Sequence, residues 1–401
     1  MSGQAMAAAV HVESHYAPPS GGLARLRGIG IGLAVVGGAA CAVGAFTDPE
    51  QFFRSWLPAW IFWLQIALGS LGLAMLNQLT HGAWGILVRR VFEAAAATLP
   101  LCFVLFLPIA LGIDHVFEWA HAEAVAEDPI LQAKAAYLNV PFFLGRAILY
   151  FGIWIALAGL ARRWSLAQDR TGDPALFHRM RTLSAAGLIL FVLSVTFASF
   201  DWLMSLDPHW FSSIYGVQFV GAAAVAALAF AIVVSRWLVT TEPMSRIFKP
   251  KHHQDHGTLL FAFLLLWGYF MVSQFIIIWS ANLPEEITFY MHRQSGGWQW
   301  LSVVLVVLHF AVPFLLLLSP AIKRNPKRLA AIAVLLLVMR WLDVQWQAAP
   351  NFHHAVTLHW LDLAALLAVG GAWLAMFAWK LGGASLLPVH DPFLPEAIAH
   401  E

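Results

Sequence analysis

The chain has 401 residues, of which 60% are hydrophobic and 11% charged, and its formal net charge is +1. A soluble domain averages about 25% charged residues, so the composition excludes an ordinary soluble enzyme. The near-zero net charge likewise excludes a global field directed at nucleic acid. The apolar residues gather into runs of about 19–24, the length a helix needs to cross a bilayer, which predicts an all-α polytopic membrane protein with no sizeable soluble domain.

In chain order, residues 1–28 form a polar N-terminal tail with His11, Glu13, His15 and a Pro18-Pro19 pair. It lacks a basic start followed at once by an apolar stretch, so no cleaved signal peptide is predicted. The predicted spans are 29–46, 56–79, 94–113, 141–161, 183–204, 214–238, 258–280, 299–319, 329–349 and 359–380, followed by a tail over 381–401. Each must be helical, because hydrocarbon satisfies no open backbone. The two cysteines, Cys41 and Cys102, both fall within apolar runs and form no CxxC pair. They read as packing residues, with no encoded iron–sulfur site or c-type haem attachment.

Basic residues orient the spans. With the N-terminus inside, eighteen of the 23 Lys and Arg residues fall in inner segments and three (Arg54, Lys134, Arg293) in outer ones. This positive-inside bias predicts that both termini are cytoplasmic. The outer loops carry acid instead, in 114–134 and at Glu285 and Glu286. Trp56, Trp60, Trp119, Trp202, Trp210, Trp279, Trp298 and Trp300 lie near span ends and read as interfacial anchors. The inner stretch 249–256 is rich in Lys and His and reads as a solvated loop, with metal binding the lesser alternative.

Ionisable groups inside the bilayer are costly, and by default they are functional hypotheses. Arg146 lies early in the fourth span, Asp201 late in the fifth, His309 mid-way in the eighth, Arg340 and Asp343 in the ninth, and Asp362 early in the tenth. Gln274 and Tyr150 are uncharged companions. At 1.5 Å per residue, Asp201, Asp343, Arg146 and Asp362 fall in the outer half, and Arg340 and His309 near the midplane. The inner half reads as drier. Arg340, Asp343 and Gln347 share one helical face and the first two can pair locally, either as a glue between helices or in proton or quinone chemistry. Asp201 has no partner on its own helix, so it must find one on another helix or be protonated. It therefore reads as the group that exchanges protons, and Asp343 as a held ion pair. A b-type haem needs facing histidines at matched depth. Only His309 is deep, so no haem is predicted.

Two stretches carry a resemblance. Residues 199–216 read Ser-Phe-Asp-Trp-Leu-Met-Ser-Leu-Asp-Pro-His-Trp-Phe-Ser-Ser-Ile-Tyr-Gly and include Asp207 and His209. Residues 278–286 read Ile-Trp-Ser-Ala-Asn-Leu-Pro-Glu-Glu, with Asn282, Glu285 and Glu286, and are followed by Gly296, Gly297 and Trp298. Over roughly 29–380 the chain resembles the ActF-type membrane subunits of bacterial alternative complex III, relatives of the NrfD/PsrC-like subunits. The resemblance implies two four-helix bundles, here spans 2–5 (56–204) and 6–9 (214–349), with spans 1 and 10 peripheral. The bundles would be parallel repeats, which sets Asp201 against Asp343.

It further implies a multi-pass place in the bacterial inner membrane and a role in quinol oxidation by a cytochrome c-linked respiratory complex, with proton-conducting polar paths. Partners would be a sister NrfD-like (ActC-like) membrane subunit, to which the quinol site is usually assigned, an iron–sulfur subunit, and multihaem and monohaem cytochrome c subunits, besides lipids. Menaquinone or ubiquinone would be the associated quinone, and the chain itself would carry no haem or iron–sulfur cluster. Two other classes stay open on the residues alone. Intramembrane carboxylates also suit a secondary transporter, although no Gly/Pro-broken spans sit in matching positions. A purely structural scaffold of a larger complex is the third reading.

Overall fold

The computed structural model describes residues 16, 18–242 and 244–400, apart from the side chain of Glu285. Among them there is no strand, and ten helical segments are long and apolar enough to cross a membrane. We number them α1 (Ser20–Thr47), α2 (Pro49–Thr80), α3 (Arg89–Leu111), α4 (Val140–Thr171), α5 (Pro174–Leu206), α6 (Tyr215–Leu238), α7 (Pro250–Ala281), α8 (Trp298–Leu318), α9 (Pro326–Asn351) and α10 (Trp360–Gly382). The chain is thus an all-α multi-pass membrane protein.

Helix starts follow a local rule. Asp48, Asn139, Asp173 and Asn325 cap α2, α4, α5 and α9, each accepting from a backbone N–H two or three residues on, and each is followed within two residues by proline. Such caps satisfy orphan amides, and proline at the first turn forfeits nothing. Three helices stop on left-handed residues, His81, Gly172 and Asn282. Several helices outrun the apolar windows at the terminal face, where α4 continues to Thr171 and α5 and α7 begin at Pro174 and Pro250. Hydropathy reports the thickness of hydrocarbon, whereas capping decides where a helix ends.

Helices α2 to α5 pack as one bundle and α6 to α9 as a second, joined back to back through α2 and α6. Helix α10 packs on α2 and carries α1 on its other side. The α1–α10 contact is close because glycine faces backbone: a Cβ at Gly30 would lie 2.8 Å from both Ala375 N and Gly371 O. Small residues let membrane helices approach in this way.

Three expectations are corrected. The third span is not one regular helix but the pieces Arg89–Ala96, Leu99–Val104 and Leu107–Leu111, because Pro100 and Pro108 interrupt the backbone ladder. The carbonyls of Cys102 and Leu105 accept instead from Trp60 and Trp56 Nε1, at 2.8 and 2.9 Å. That explains the second correction. Trp279 and Trp300 are exposed, but Trp56, Trp60, Trp119, Trp202, Trp210 and Trp298 are buried among protein rather than anchored at an interface. The third concerns the ends. Of the N-terminal tail, residues 1–15 and 17 lie outside the described residues, and the first helix begins at Ser20. The segment after α10 is no free tail. Leu386 N donates to Tyr16 O at 2.9 Å, and Leu387, Leu394 and Ala397 are buried. Both described ends therefore meet on one face, called here the terminal face.

The stretch 249–256 is corrected as well. It opens α7, and His252, His253 and His256 are buried, His252 against the final segment and His253 against the ring of Phe248. His252 meets Ala397 O at 2.8 Å, and His256 meets Trp84 O at 2.6 Å. Among the described residues no three His, Cys, Asp or Glu side chains converge as a metal site would require.

Candidate functional site

Each bundle encloses an arginine–carboxylate pair in the half remote from the terminal face. In the first bundle, Arg146 on α4 reaches across to Asp201 on α5. Its Nε donates to Oδ2 at 2.8 Å and its second terminal nitrogen to Oδ1 at 2.9 Å. Tyr150, one turn along α4, donates its hydroxyl to Asp201 Oδ2 at 2.9 Å. The remaining Arg146 nitrogen donates to Tyr137 O at 2.9 Å. The guanidinium also lies over the rings of Tyr137 and Phe142, at 3.8 and 4.3 Å from their centres. The ion pair itself is closed, since both Asp201 oxygens and all three Arg146 nitrogens have partners, whereas the buried Tyr137 hydroxyl beside it has none among the described residues.

That closure revises the roles expected of the two carboxylates. Asp201 does find its partner on another helix, because α4 and α5 are antiparallel neighbours joined by a short turn at Gly172. It is a bidentate, fully held carboxylate, so its expected distinction from Asp343 disappears.

The second cluster is open. Arg340 and Asp343 pair along one face of α9 at 2.5 Å, and both are 0% exposed. Arg340 also donates to Gln65 Oε1 on α2 at 2.9 Å. Gln347 donates to Asp343 Oδ2 at 2.7 Å and accepts from the Tyr215 hydroxyl at 2.7 Å. The Gln347 carbonyl in turn accepts from Arg293 at 2.7 Å. A continuous polar string thus runs from Gln65, midway along α2, to the loop between α7 and α8. Several of its atoms have no partner among the described residues: Gln65 Nε2, Arg340 Nε and Asp343 Oδ1. Buried polar atoms are nearly always satisfied, and a group of exceptions demands a reason.

His309 lies beside this string. It is fully buried, neither ring nitrogen has a partner among the described residues, and its ring stands 4.0 Å from that of Trp267. It sits in a π-helical turn, Leu305–Ala311. The cause is Pro313, four residues on, which cannot donate to the His309 carbonyl. Such turns recur at functional sites.

The other anticipated residues are placed as follows. Asp362 caps α10 through His359 N at 2.9 Å and accepts from Ser55 on α2 at 2.6 Å. Among the described residues no hydrogen bond joins it to either cluster. Gln274 is buried and accepts from Ser212 at 3.2 Å. Asp207 is nearly buried, with His292 4.0 Å away. His209 meets Asp128 at 2.5 Å. Desolvation raises the Asp128 carboxyl, but amides of Ile130 and Leu131 and the His209 ring outweigh it, so the net shift is downward. Asn282 ends α7 in a left-handed conformation. Glu286 lies half-buried in helix Pro284–Met291, and the Glu285 side chain falls outside the described residues.

Sequence reasoning missed three things. Gln65 is the one polar side chain between Ser55 and Ser70 in the apolar middle of α2, and that isolation was its only signal. Arg293 was assigned to a solvated outer loop, yet it is buried and gives Nε and both terminal nitrogens to the carbonyls of Trp346, Gln347 and Phe289. The terminal-face half is not dry either. Arg90 is bound by Glu93, Ser165 and Asp169, and Arg89 pairs with Asp391 from the final segment at 2.5 Å. No protein-family model matches the chain, and no curated protein is significantly similar to it.

Proposed function

We propose that the chain is a proton-conducting membrane subunit of a quinol-oxidising respiratory complex of the alternative complex III type. In this reading it lies in a bacterial inner membrane with both termini cytoplasmic, beside an ActC-like sister subunit, an iron–sulfur subunit and cytochrome c subunits. The observation that carries the proton role is the open second cluster, the string from Gln65 through Arg340, Asp343 and Gln347 to Tyr215. It offers a carboxylate oxygen and side-chain nitrogens that have no hydrogen-bond partner among the described residues. Conduction needs sites that can change hydrogen-bond partners, and a closed pair such as Arg146–Asp201 offers none. The first cluster therefore acts as a structural clamp, and Asp343 is the proton-exchanging group. The family assignment rests on the two sequence stretches together with the two-bundle architecture. A transporter is less well supported, since the irregular helices α3 and α8 do not occupy matching places in the two bundles.

Purification from native membranes in mild detergent tests the assembly. Co-isolation of c-type cytochromes and an iron–sulfur subunit is expected, and a lone polypeptide would overturn the assignment. In the assembled complex, Asp343→Asn is expected to abolish quinol-linked proton release while the subunits remain together. Unchanged proton release would refute the role of Asp343.

A further inference from the structure

A well-formed cavity lies between α7 and α8 and holds about 380 Å³. That is within the size range of small-molecule sites, about 300–1,000 Å³. Its walls are aromatic and aliphatic, with Trp267, Phe275, Tyr290, Phe310 and Trp346 prominent. Val272 and Val306 flank it and are more than half exposed on the outer surface of the two helices. Val306 stands eight residues into α8, about 12 Å along the helix at 1.5 Å per residue. The mouth therefore opens to hydrocarbon and not to the headgroup layer.

Besides the amides of Gln294 and Gln299 and the hydroxyls of Ser302 and Tyr290, the cavity is lined by two groups that only donate. Arg293 lines it as a buried cation with no carboxylate in contact among the described residues, its three bonds all going to backbone carbonyls. Desolvation lowers its pKa to about 10, which leaves it charged at neutral pH. Trp267 also lines the cavity, and its buried Nε1–H has no acceptor among the described residues. Two donor groups at separate points of an aromatic slot call for a flat ligand bearing acceptor oxygens. A phospholipid headgroup would have to leave the interface and bring further charge into apolar walls. A lipid-soluble ring carrying carbonyls can enter from the acyl-chain region and leave its tail there.

We propose that this cavity binds the ring of a membrane quinone, with a carbonyl oxygen directed to Arg293 and the tail passing between Val272 and Val306 into the bilayer. The ligand class rests on the respiratory reading above, whereas the site rests on the cavity alone. Because Arg293 also holds the Gln347 carbonyl, the ring would sit at the end of the polar string.

The test uses the full chain in phosphatidylcholine nanodiscs, titrated with decyl-ubiquinone and with a naphthoquinone of short isoprenoid tail. Saturable binding of one molecule per chain is expected for at least one probe. Val306→Trp, on an exposed position that does not disturb the core, is expected to weaken it about tenfold or more by filling the mouth. Arg293→Lys should weaken it about tenfold, the scale of one hydrogen bond to a charged donor. Absence of saturable binding, indifference to Val306→Trp, or equal competition by phosphatidylglycerol would each overturn the proposal. Co-isolation with redox subunits is read separately, so loss of the respiratory assignment and loss of this site are distinguishable.

Discussion

The clamp reading of Arg146–Asp201 has a quantitative consequence. Asp201→Asn preserves shape but removes the charge that holds Arg146, and breaking one side of a buried ion pair costs about 3–5 kcal/mol. Part of the loss is offset here, because Arg146 keeps Tyr137 O and lies over two aromatic rings, contacts worth about 0.5–2 kcal/mol. The expected destabilisation is therefore about 3 kcal/mol. Arg146→Met alone strands the carboxylate with only Tyr150, and should cost at least as much. The double change Arg146→Met with Asp201→Leu removes both charges, and such replacements are often neutral, so it should lie within about 1–2 kcal/mol of the parent. Unfolding of the full chain in mixed detergent micelles gives the cycle, with a coupling of at least about 2 kcal/mol expected. If the single variants match the parent, or their losses simply add in the double variant, the pair is not a closed buried clamp and the contrast with Asp343 fails.

Three further outcomes follow from particular contacts. Gly30→Leu should drive α1 away from α10, since even a Cβ there would press on Ala375 N and Gly371 O, and cross-links engineered between the two helices should fall sharply while α2–α6 cross-links persist. Asp391→Asn leaves Arg89 with Asn77 alone, so the final segment should loosen by about 3 kcal/mol and become open to limited proteolysis. The same segment should respond to pH through His81, which stacks on Phe393 with ring centres 4.7 Å apart. Desolvation first, then repulsion from Arg181, holds the His81 pKa below its ordinary value. Because the folded pKa is lowered, the docked state is fully stable above the ordinary histidine range, about 6.5, and loses stability as pH falls below it. Proteolysis of the segment should rise between pH 7.5 and 5.5, and His81→Asn should flatten that dependence; a pH-independent rate would refute the linkage.

How much of this was legible in the sequence follows from the range of each interaction. Ten spans were readable because run length and hydropathy are local properties matched to bilayer thickness. The positions of Arg146, Asp201, Arg340 and His309 along their helices were readable too, since helix rise converts residue number into distance. Partnership was only half readable. Arg340 and Asp343 share a helical face, so their pairing is a local fact. Arg146 and Asp201 are 55 residues apart, and nothing in either helix records which neighbour it will face. The same blindness sent Trp60, Arg293 and His256 to interfaces or solvent, because residue type suggests a boundary and only packing reveals a partner carbonyl.

The difference between the two clusters lies at that non-local level. Read along the chain, Asp201 stood alone and Asp343 was held; in three dimensions Asp201 has every oxygen engaged and Asp343 has one free. A carboxylate's own helix supplies only some of its hydrogen-bond partners, so isolation in sequence is a poor measure of isolation in the bilayer. What separates a clamp from a conductor is the count of unsatisfied atoms around the charge. That count distinguishes the surroundings of Asp343, where Arg340 on α9, Gln65 on α2 and His309 on α8 each leave a nitrogen without a hydrogen-bond partner among the described residues, and on it rests the proposal that Asp343 and not Asp201 exchanges protons.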